Sequence, residues 1–280
     1  MPSPAIFQYP RVLSIAGSDS GGGAGIQADL KTIAALGCFG MTAITALTSQ
    51  NTLGVRSIHA VPLPILRDQI DAVVEDIGVD AVKIGMLHSA ETVREVAAGL
   101  KRHQLQTVVL DPVMIATSGA VLIDNEAVGV LVRELFPLAT VITPNLDEAA
   151  LLVQNPLHTE ADMEQAAHKL LARGAPAVLL KGGHLASDTV SDLLLARGAA
   201  PVWLRASRIA SNNTHGTGCT LSSAIASHLA LGADLVQAVR QSRDFVRSAL
   251  QAGAPVRTGA GGGPLNHGFA PHAMQLRPLP

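Results

Sequence analysis

The chain has 280 residues, 48% of them hydrophobic and 15% charged, with a formal net charge of −2. A near-neutral surface gives no basic excess to recruit nucleic acid or an anionic membrane, and an aromatic content of 2% leaves too few rings for a base-stacking platform. No uninterrupted apolar run reaches transmembrane length. The opening "MPSPAIFQYP" has no basic stretch leading into a long apolar one, and the only cysteines are Cys38 and Cys219, so the cytoplasm is the expected compartment.

Apolar, β-rich runs are predicted at residues 12–16, 41–47, 81–84, 108–110, 141–142 and 177–180. Segments of helical periodicity lie between most of them, at 26–36, 64–77, 90–101, 125–135 and 161–172. Strand–helix alternation with strands apolar throughout is the pattern of a mostly parallel sheet covered by helices on both faces. Residues 189–208 break the rhythm and read as a hairpin turning at 197–200. Two helices follow, over 218–231 and 235–251, with Gly232 closing the first. No repeat and no separating linker divides the chain, which reads as one α/β domain over 1–280 ending in a loosely held, Gly/Pro-rich tail from about 254 to 280.

The first strand runs into a turn holding Gly17, Gly21, Gly22, Gly23 and Gly25, with Asp19 and Asp29 beside them. Within it "GAGIQA" satisfies the spacing of a dinucleotide fingerprint, but the second strand ends in "ALTSQNT", with Gln50 where a ribose-binding acid belongs. No G-x-x-x-x-G-K-[ST] occurs, which excludes an ordinary P-loop. The turn reads instead as a small-molecule cradle.

A second cluster, Gly216-Thr217-Gly218-Cys219, opens a helix with a small, apolar face. Free amides in a first helical turn favour an anion, and glycines let them converge on a phosphoryl group. Cys219 in that turn has four readings: a packed thiol, a nucleophile activated by His215, a metal ligand, or a proton acceptor beside an anion hole. No third group to orient His215 is evident in the sequence and no ligand set has metal spacing, which favours packing or proton acceptance. A first-turn position is expected to lower its pKa.

Three further polar groups stand where strands end. They are Asp111-Pro112, Thr143-Pro144-Asn145 with Asp147 and Glu148 next in line, and Lys181-Gly182-Gly183-His184. Each has a plain structural reading: Asn145 and Asp147 as helix caps, Lys181 as a solvated loop lysine, Asp111-Pro112 as a turn. Together they set a lysine, carboxylates and two glycine-rich anion cradles at one sheet edge, an assortment suited to Mg-nucleotide phosphates.

The strings "AGSDSGGGAGIQADLKT", "TALTSQNTLGV", "KIGML", "LDPVM", "ITPNLDEA", "LLKGGH" and "THGTGCTLSSAIA" occur in this order. Together they closely resemble the hydroxymethylpyrimidine/phosphomethylpyrimidine kinases of thiamin biosynthesis, in the ribokinase-like superfamily. The resemblance runs from about Val12 to about Gly253, and "GPLNH" extends it toward the C-terminus. It implies a three-layer α/β/α sandwich that phosphorylates 4-amino-5-hydroxymethyl-2-methylpyrimidine from ATP, and then its monophosphate. Gln50 matches the pyrimidine-binding glutamine, with Gly17, Asp29, Met86 and Val113 on stretches lining that pocket. Asn145, Glu148 and Lys181 match the nucleotide-phosphate and Mg²⁺ positions; Thr217 is expected to bind nucleotide with them, and Asp111, at its strand end, to arrange Mg²⁺ with Glu148. Gly216, Thr217 and Gly218 match the anion hole, and Cys219 the base, where the broader superfamily commonly has aspartate. The resemblance further implies a homodimer and leaves room for a monovalent cation. A pyridoxal/pyridoxine kinase and a non-catalytic pyrimidine-binding module are the competing readings.

Overall fold

The computed structural model describes residues 6–114, 123, 125–183, 185 and 187–278. In chain order its elements begin with β1 (Phe7–Gln8), β2 (Arg11–Ala16), α1 (Gly25–Ala35), β3 (Phe39–Ile44), β4 (Ala46–Asn51), β5 (Gly54–Ala60) and α2 (Leu63–Ala72). Next come β6 (Ala81–Ile84), α3 (Ala90–Arg102), β7 (Val108–Leu110), α4 (Asn125–Glu134), β8 (Val141–Ile142), α5 (Leu146–Val153) and α6 (Glu160–Ala172). The chain ends with β9 (Ala177–Leu180), β10 (Thr189–Ala196), β11 (Val202–Ser207), α7 (Thr217–Ala230), α8 (Leu235–Gly253) and β12 (Arg277–Pro278).

Eight strands form the main sheet in the order β11-β10-β9-β8-β7-β6-β2-β3. From β3 to β9 the pairs are parallel, and β10 and β11 add an antiparallel edge. Alternation along each strand feeds two cores. Leu13, Ile15, Val82, Ile84 and Leu110 face α2 to α6, while Val12, Ala81, Val109 and Val141 face α1, α7 and α8. Helices on both faces make the three-layer α/β/α sandwich, and they explain why the strands are apolar on both sides. Relative to β2 the chain steps one way to β3 and the other way to β6. That switch of direction opens a crevice beyond the carboxyl ends of β2 and β6, where such sheets take ligands.

Three expectations change. Residues 41–47 are not one strand: β3 stops at Ile44, and β4 leaves the sheet to pair antiparallel with β5. The apolar alternation continues across Thr45, so nothing in the sequence marks the break; the Thr45 hydroxyl holds it by donating to the Met86 carbonyl at 2.7 Å. The C-terminal segment is not loose. Leu265 and His267 are buried, the His272 and Gln275 amides donate to the Ala35 and Gly37 carbonyls, and β12 pairs with β1. The third concerns the first glycine loop, whose amides are taken by Asp19, as described below. The β10–β11 hairpin turns at the expected place, and Gly232 ends α7 with φ +93°.

Candidate active site

One cleft of about 710 Å³ lies along the carboxyl edge of the parallel strands. Every sequence-predicted site residue lines it except Asp29. His184 lies outside the described residues.

At one end the wall is apolar. Met86 and Ala46 pack with Ile58 and Val113, and a Cβ at Gly17 would stand 3.2 Å from the Met86 sulfur, a tight approach. Gln50 enters over this wall from β4. The register of β4 against β5 shifts between Ser49 and Gln50, a bulge of the kind that re-aims a side chain beside a site. Its carboxamide Nε2 lies 3.1 Å from His215 Nε2, and its Oε1 lies 3.4 Å from the Thr48 hydroxyl.

The first glycine loop does not offer an open anion cradle. The Asp19 carboxylate accepts the amides of Gly21, Gly23 and Ala24 at 2.8, 3.0 and 2.8 Å, so the loop already holds an internal anion. Burial works to raise the Asp19 pKa, but His215 and these amides outweigh it and hold the carboxyl below its ordinary value. The loop walls the cleft, and these amides are not free to meet a ligand anion.

That second cluster is open. Gly216 caps α7 with φ +84°, and no side chain caps the helix. A Cβ at Gly216 would stand 1.9 Å from the Gly23 carbonyl oxygen, so the two glycine clusters interlock with no room between them. Across the cleft Lys181 Nζ donates to Asp111 Oδ1 at 2.9 Å, and both press on the helix start: a Cβ on Gly218 would lie 3.2 Å from Nζ and 3.4 Å from Asp111 Oδ2. Lys181 is therefore no solvated loop lysine. Burial works against its charge, but Asp111 and Glu148 outweigh it and raise its pKa.

Asn145 and Glu148 form a capping box at the start of α5. The Asn145 side chain accepts the Glu148 amide at 2.9 Å, and Glu148 Oε2 accepts the Asn145 amide at 2.8 Å. The capping reading of Asn145 is thus correct, and the same box aims both residues into the cleft. Burial pushes the Glu148 carboxyl up to about 7; Lys181 opposes the rise and Asp111 adds to it. Two buried carboxylates facing one lysine leave a deficit of positive charge, which fits a divalent cation. Magnesium commonly uses one or two carboxylates, completing its shell with phosphates and water. Among the described residues, no three-residue His/Cys/Asp/Glu ligand group occurs in the cleft.

Asp29 is the correction to the predicted pocket. It is fully buried on α1, beneath the cleft floor, where its oxygens take Lys83 Nζ at 2.9 and 2.8 Å, the Ser14 hydroxyl at 2.6 Å and the Ser223 hydroxyl at 2.7 Å. Ser14 and Lys83 are register partners on β2 and β6, so alternation turns both toward α1. The pocket-lining residue of this group is Lys83, whose side chain is itself fully buried. A lysine inside the apolar run "AVKI" was the available signal. Burial works to lower the Lys83 pKa, but Asp29, Cys219 and Asp111 raise it.

Cys219 faces this lysine. Its pKa rises rather than falls: burial pushes the thiol up to about 11, with Asp29 and Asp111 adding to the rise, against the opposing pull of Lys83 and the Gly25 backbone. At neutral pH it is a thiol. Other unforeseen residues line the cleft as well: Val190, Ile209, Leu221, Val246 and Leu250 add apolar surface to it. Asp192 ties the Gly182 amide at 2.8 Å to Arg243 at 2.7 Å, and Arg208 gathers the carbonyls of Gly183, Leu185 and Ser187.

The profile of the phosphomethylpyrimidine kinase family matches residues 19–266. The chain is 50% identical to a hydroxymethylpyrimidine/phosphomethylpyrimidine kinase of Rhizobium meliloti, over 91% of this chain and 96% of that protein. It is 51% identical to a thiamine biosynthesis bifunctional protein of Geobacter sulfurreducens, over 96% of this chain but only 55% of that protein, so it spans about half of the larger relative. Among solved structures it resembles a phosphomethylpyrimidine kinase of Clostridium difficile, with a TM-score of 0.76 and 43% identity over 85% of this chain and 98% of that one. It also resembles a pyridoxal kinase of Staphylococcus aureus in complex with AMP-PCP and pyridoxal, with a TM-score of 0.86 and 33% identity over 93% of this chain and 94% of that one.

Proposed function

The chain belongs to the phosphomethylpyrimidine kinase family, and on that footing we propose how its cleft works. It is a phosphotransferase that carries the γ-phosphoryl group of ATP to the hydroxymethyl oxygen of 4-amino-5-hydroxymethyl-2-methylpyrimidine, then phosphorylates the monophosphate in the same site. The observation that carries this reading is the convergence of Lys181 and Asp111 on Gly218 at the uncapped start of α7, with Gln50 and the apolar wall at the opposite end.

In this scheme Gln50 pairs with the aminopyrimidine edge, since a carboxamide both donates and accepts. Gly17, Met86 and Val113 sandwich the ring. The nucleotide base meets the apolar surface of Val190, Ile209, Leu221, Val246 and Leu250, and its phosphates run past Asn145 and Thr217 to Lys181. Glu148 and Asp111 would hold Mg²⁺, directly or through its waters; when bound, the ion neutralises charge spread over the phosphates. The α7 amides of Gly216, Thr217 and Gly218 stabilise the transferring group, as preorganised donors do without reorienting. Cys219 accepts the hydroxymethyl proton through its minor thiolate form, whose share grows with pH, with Lys83 as the nearby positive charge.

A coupled assay of ADP formation on the alcohol and on its monophosphate tests the reading. Turnover of pyridoxal alone would overturn it in favour of a pyridoxal kinase, the second reading that the Staphylococcus aureus structure supports. Tight pyrimidine binding without ADP formation would favour a binding module. Family analogy supports a cytoplasmic homodimer with small-molecule partners, for sedimentation and fractionation to check, and stimulation by a monovalent cation, for a potassium titration. No helix among the described residues is long and apolar enough to cross a membrane.

A further inference from the structure

We propose that His215 and Thr48 fix which way round the Gln50 carboxamide faces the cleft, and are therefore specificity-determining residues for an amino rather than an oxo pyrimidine. The inference rests on Gln50 reading the pyrimidine edge.

Gln50 lies between two partners whose hydrogen positions are set by other groups. The Thr48 hydroxyl gives its only hydrogen to the Ser18 carbonyl at 2.8 Å. Toward Gln50, 3.4 Å away, it can only accept. The end of the carboxamide that meets Thr48 must therefore be the NH₂. On the other side His215 Nε2 stands 2.9 Å from Asp19 Oδ2. Asp19 is an acceptor held by three backbone amides, and a bare ring nitrogen facing it would set lone pair against lone pair. Nε2 therefore carries a hydrogen, shared between Asp19 and Gln50 as a forked bond, and the end of Gln50 that meets it must be the carbonyl oxygen.

With Nε2 beside His215 and Oε1 beside Thr48, one contact sets donor against donor and the other asks for a hydrogen already given. Turned half a revolution about its Cγ–Cδ bond, the carboxamide makes a hydrogen bond at both ends. The two neighbours thus select the same orientation independently. His215 is itself rigidly held: its amide donates to the Gly263 carbonyl at 3.1 Å, and a Cβ on Gly23 would lie 2.6 Å from its Cδ2.

In that orientation the outer lone pair of Oε1 goes to His215 and the outer hydrogen of Nε2 goes to Thr48. One lone pair and one N–H remain, side by side, for the ligand. An aminopyrimidine offers an exocyclic N–H next to a ring nitrogen lone pair, which is the complement. A 4-oxo pyrimidine offers a carbonyl next to a ring N–H and needs the carboxamide reversed, against both neighbours.

The test is calorimetric binding of 4-amino-5-hydroxymethyl-2-methylpyrimidine and its 4-oxo counterpart to the full chain, with melting curves for each variant. The wild-type protein should prefer the amino compound by ~10³-fold or more, since a site left with unpaired polar groups rejects the wrong partner strongly. His215→Phe and Thr48→Val should each cut that ratio by ~10-fold or more, because either change removes one of the two contacts that oppose turning of the carboxamide. An unchanged ratio in both variants, with Gln50→Ala abolishing amino binding, overturns the orientation lock and leaves Gln50 as the reader. Unchanged amino binding in Gln50→Ala overturns the reader and the lock together. If His215→Phe melts near the assay temperature, Thr48→Val, which removes one hydroxyl, decides alone.

Discussion

Replacing Asp29 by asparagine separates a pocket wall from a buried support. As support, its carboxylate binds Lys83 through both oxygens and also takes Ser14 and Ser223, with no solvent contact. Asparagine keeps the volume and one acceptor but leaves the Lys83 ammonium uncompensated. Removing one partner of a buried pair costs about 3–5 kcal/mol. An unfolding entropy near 2.1 cal/mol/K per residue over 280 residues is roughly 0.6 kcal/mol per degree, so the melting temperature should fall by roughly 5–9 °C. Circular dichroism melts of the ligand-free protein measure this. Adding Lys83→Met removes the orphaned charge, so the double variant should melt above Asp29→Asn alone. A melting temperature within about 1 °C of wild type, together with lost pyrimidine affinity, would refute the support role and return Asp29 to the pocket.

Gly216→Ala should lower turnover by ~100-fold or more, comparable to loss of an oxyanion donor, because its Cβ would collide with the Gly23 oxygen at a left-handed φ. Turnover near wild type would show that the loop can part from its neighbour. Cys219→Ala should depress kcat more than binding. Because burial sets its thiol near 11, kcat of the wild type should climb with pH on the alkaline side and the variant should not; parallel profiles would remove the base role. His267, buried against the Thr220 hydroxyl, has its pKa pushed down to about 4 from an ordinary 6.5. The unfolded chain binds the extra proton in that window, so this stability is present above 6.5 and is lost as pH falls through 4, by about 3 kcal/mol at most. His267→Gln should flatten the acid limb of a stability-versus-pH curve, and an unaltered limb would place the acid sensitivity elsewhere.

The sheet was legible because its inner parallel strands are buried on both faces, so runs such as "VVL" and "AVLL" carry no polar interruption. The site was legible for a related reason: parallel strands all end at one edge, so polar residues just past each run must converge there. What stayed hidden depends on partners distant in sequence. Asp29 looks like any polar residue in a glycine-rich neighbourhood until Lys83 and Ser223 are brought to it. Asp19 could have been ligand-facing, and only the folded loop shows its carboxylate filled by three amides. The first-turn position of Cys219 suggested a depressed pKa, but burial outweighs Lys83 and the Gly25 backbone. The strand break at Thr45 carries no glycine or proline, and the C-terminal segment buries Leu265 and His267 despite its composition.

The fate of the two glycine clusters also orders the ligands in the cleft. They look equivalent in sequence, yet the first is satisfied internally by Asp19 and the second begins an uncapped helix beside Lys181. An anionic group is therefore drawn to the α7 end and repelled from the Asp19 end. A neutral aromatic ring is left the apolar wall between Met86 and Val113, where on the proposed reading its amino edge meets Gln50. For the second phosphorylation this polarity has a consequence: the phosphate already on the substrate must share the α7 end with the incoming group. Asp111 and Glu148 raise the Lys181 pKa and so favour its charged form at that end of the cleft. Lys181→Met should therefore impair phosphorylation of the monophosphate more than that of the alcohol. An equal loss on the two substrates would place the second phosphate outside the reach of Lys181.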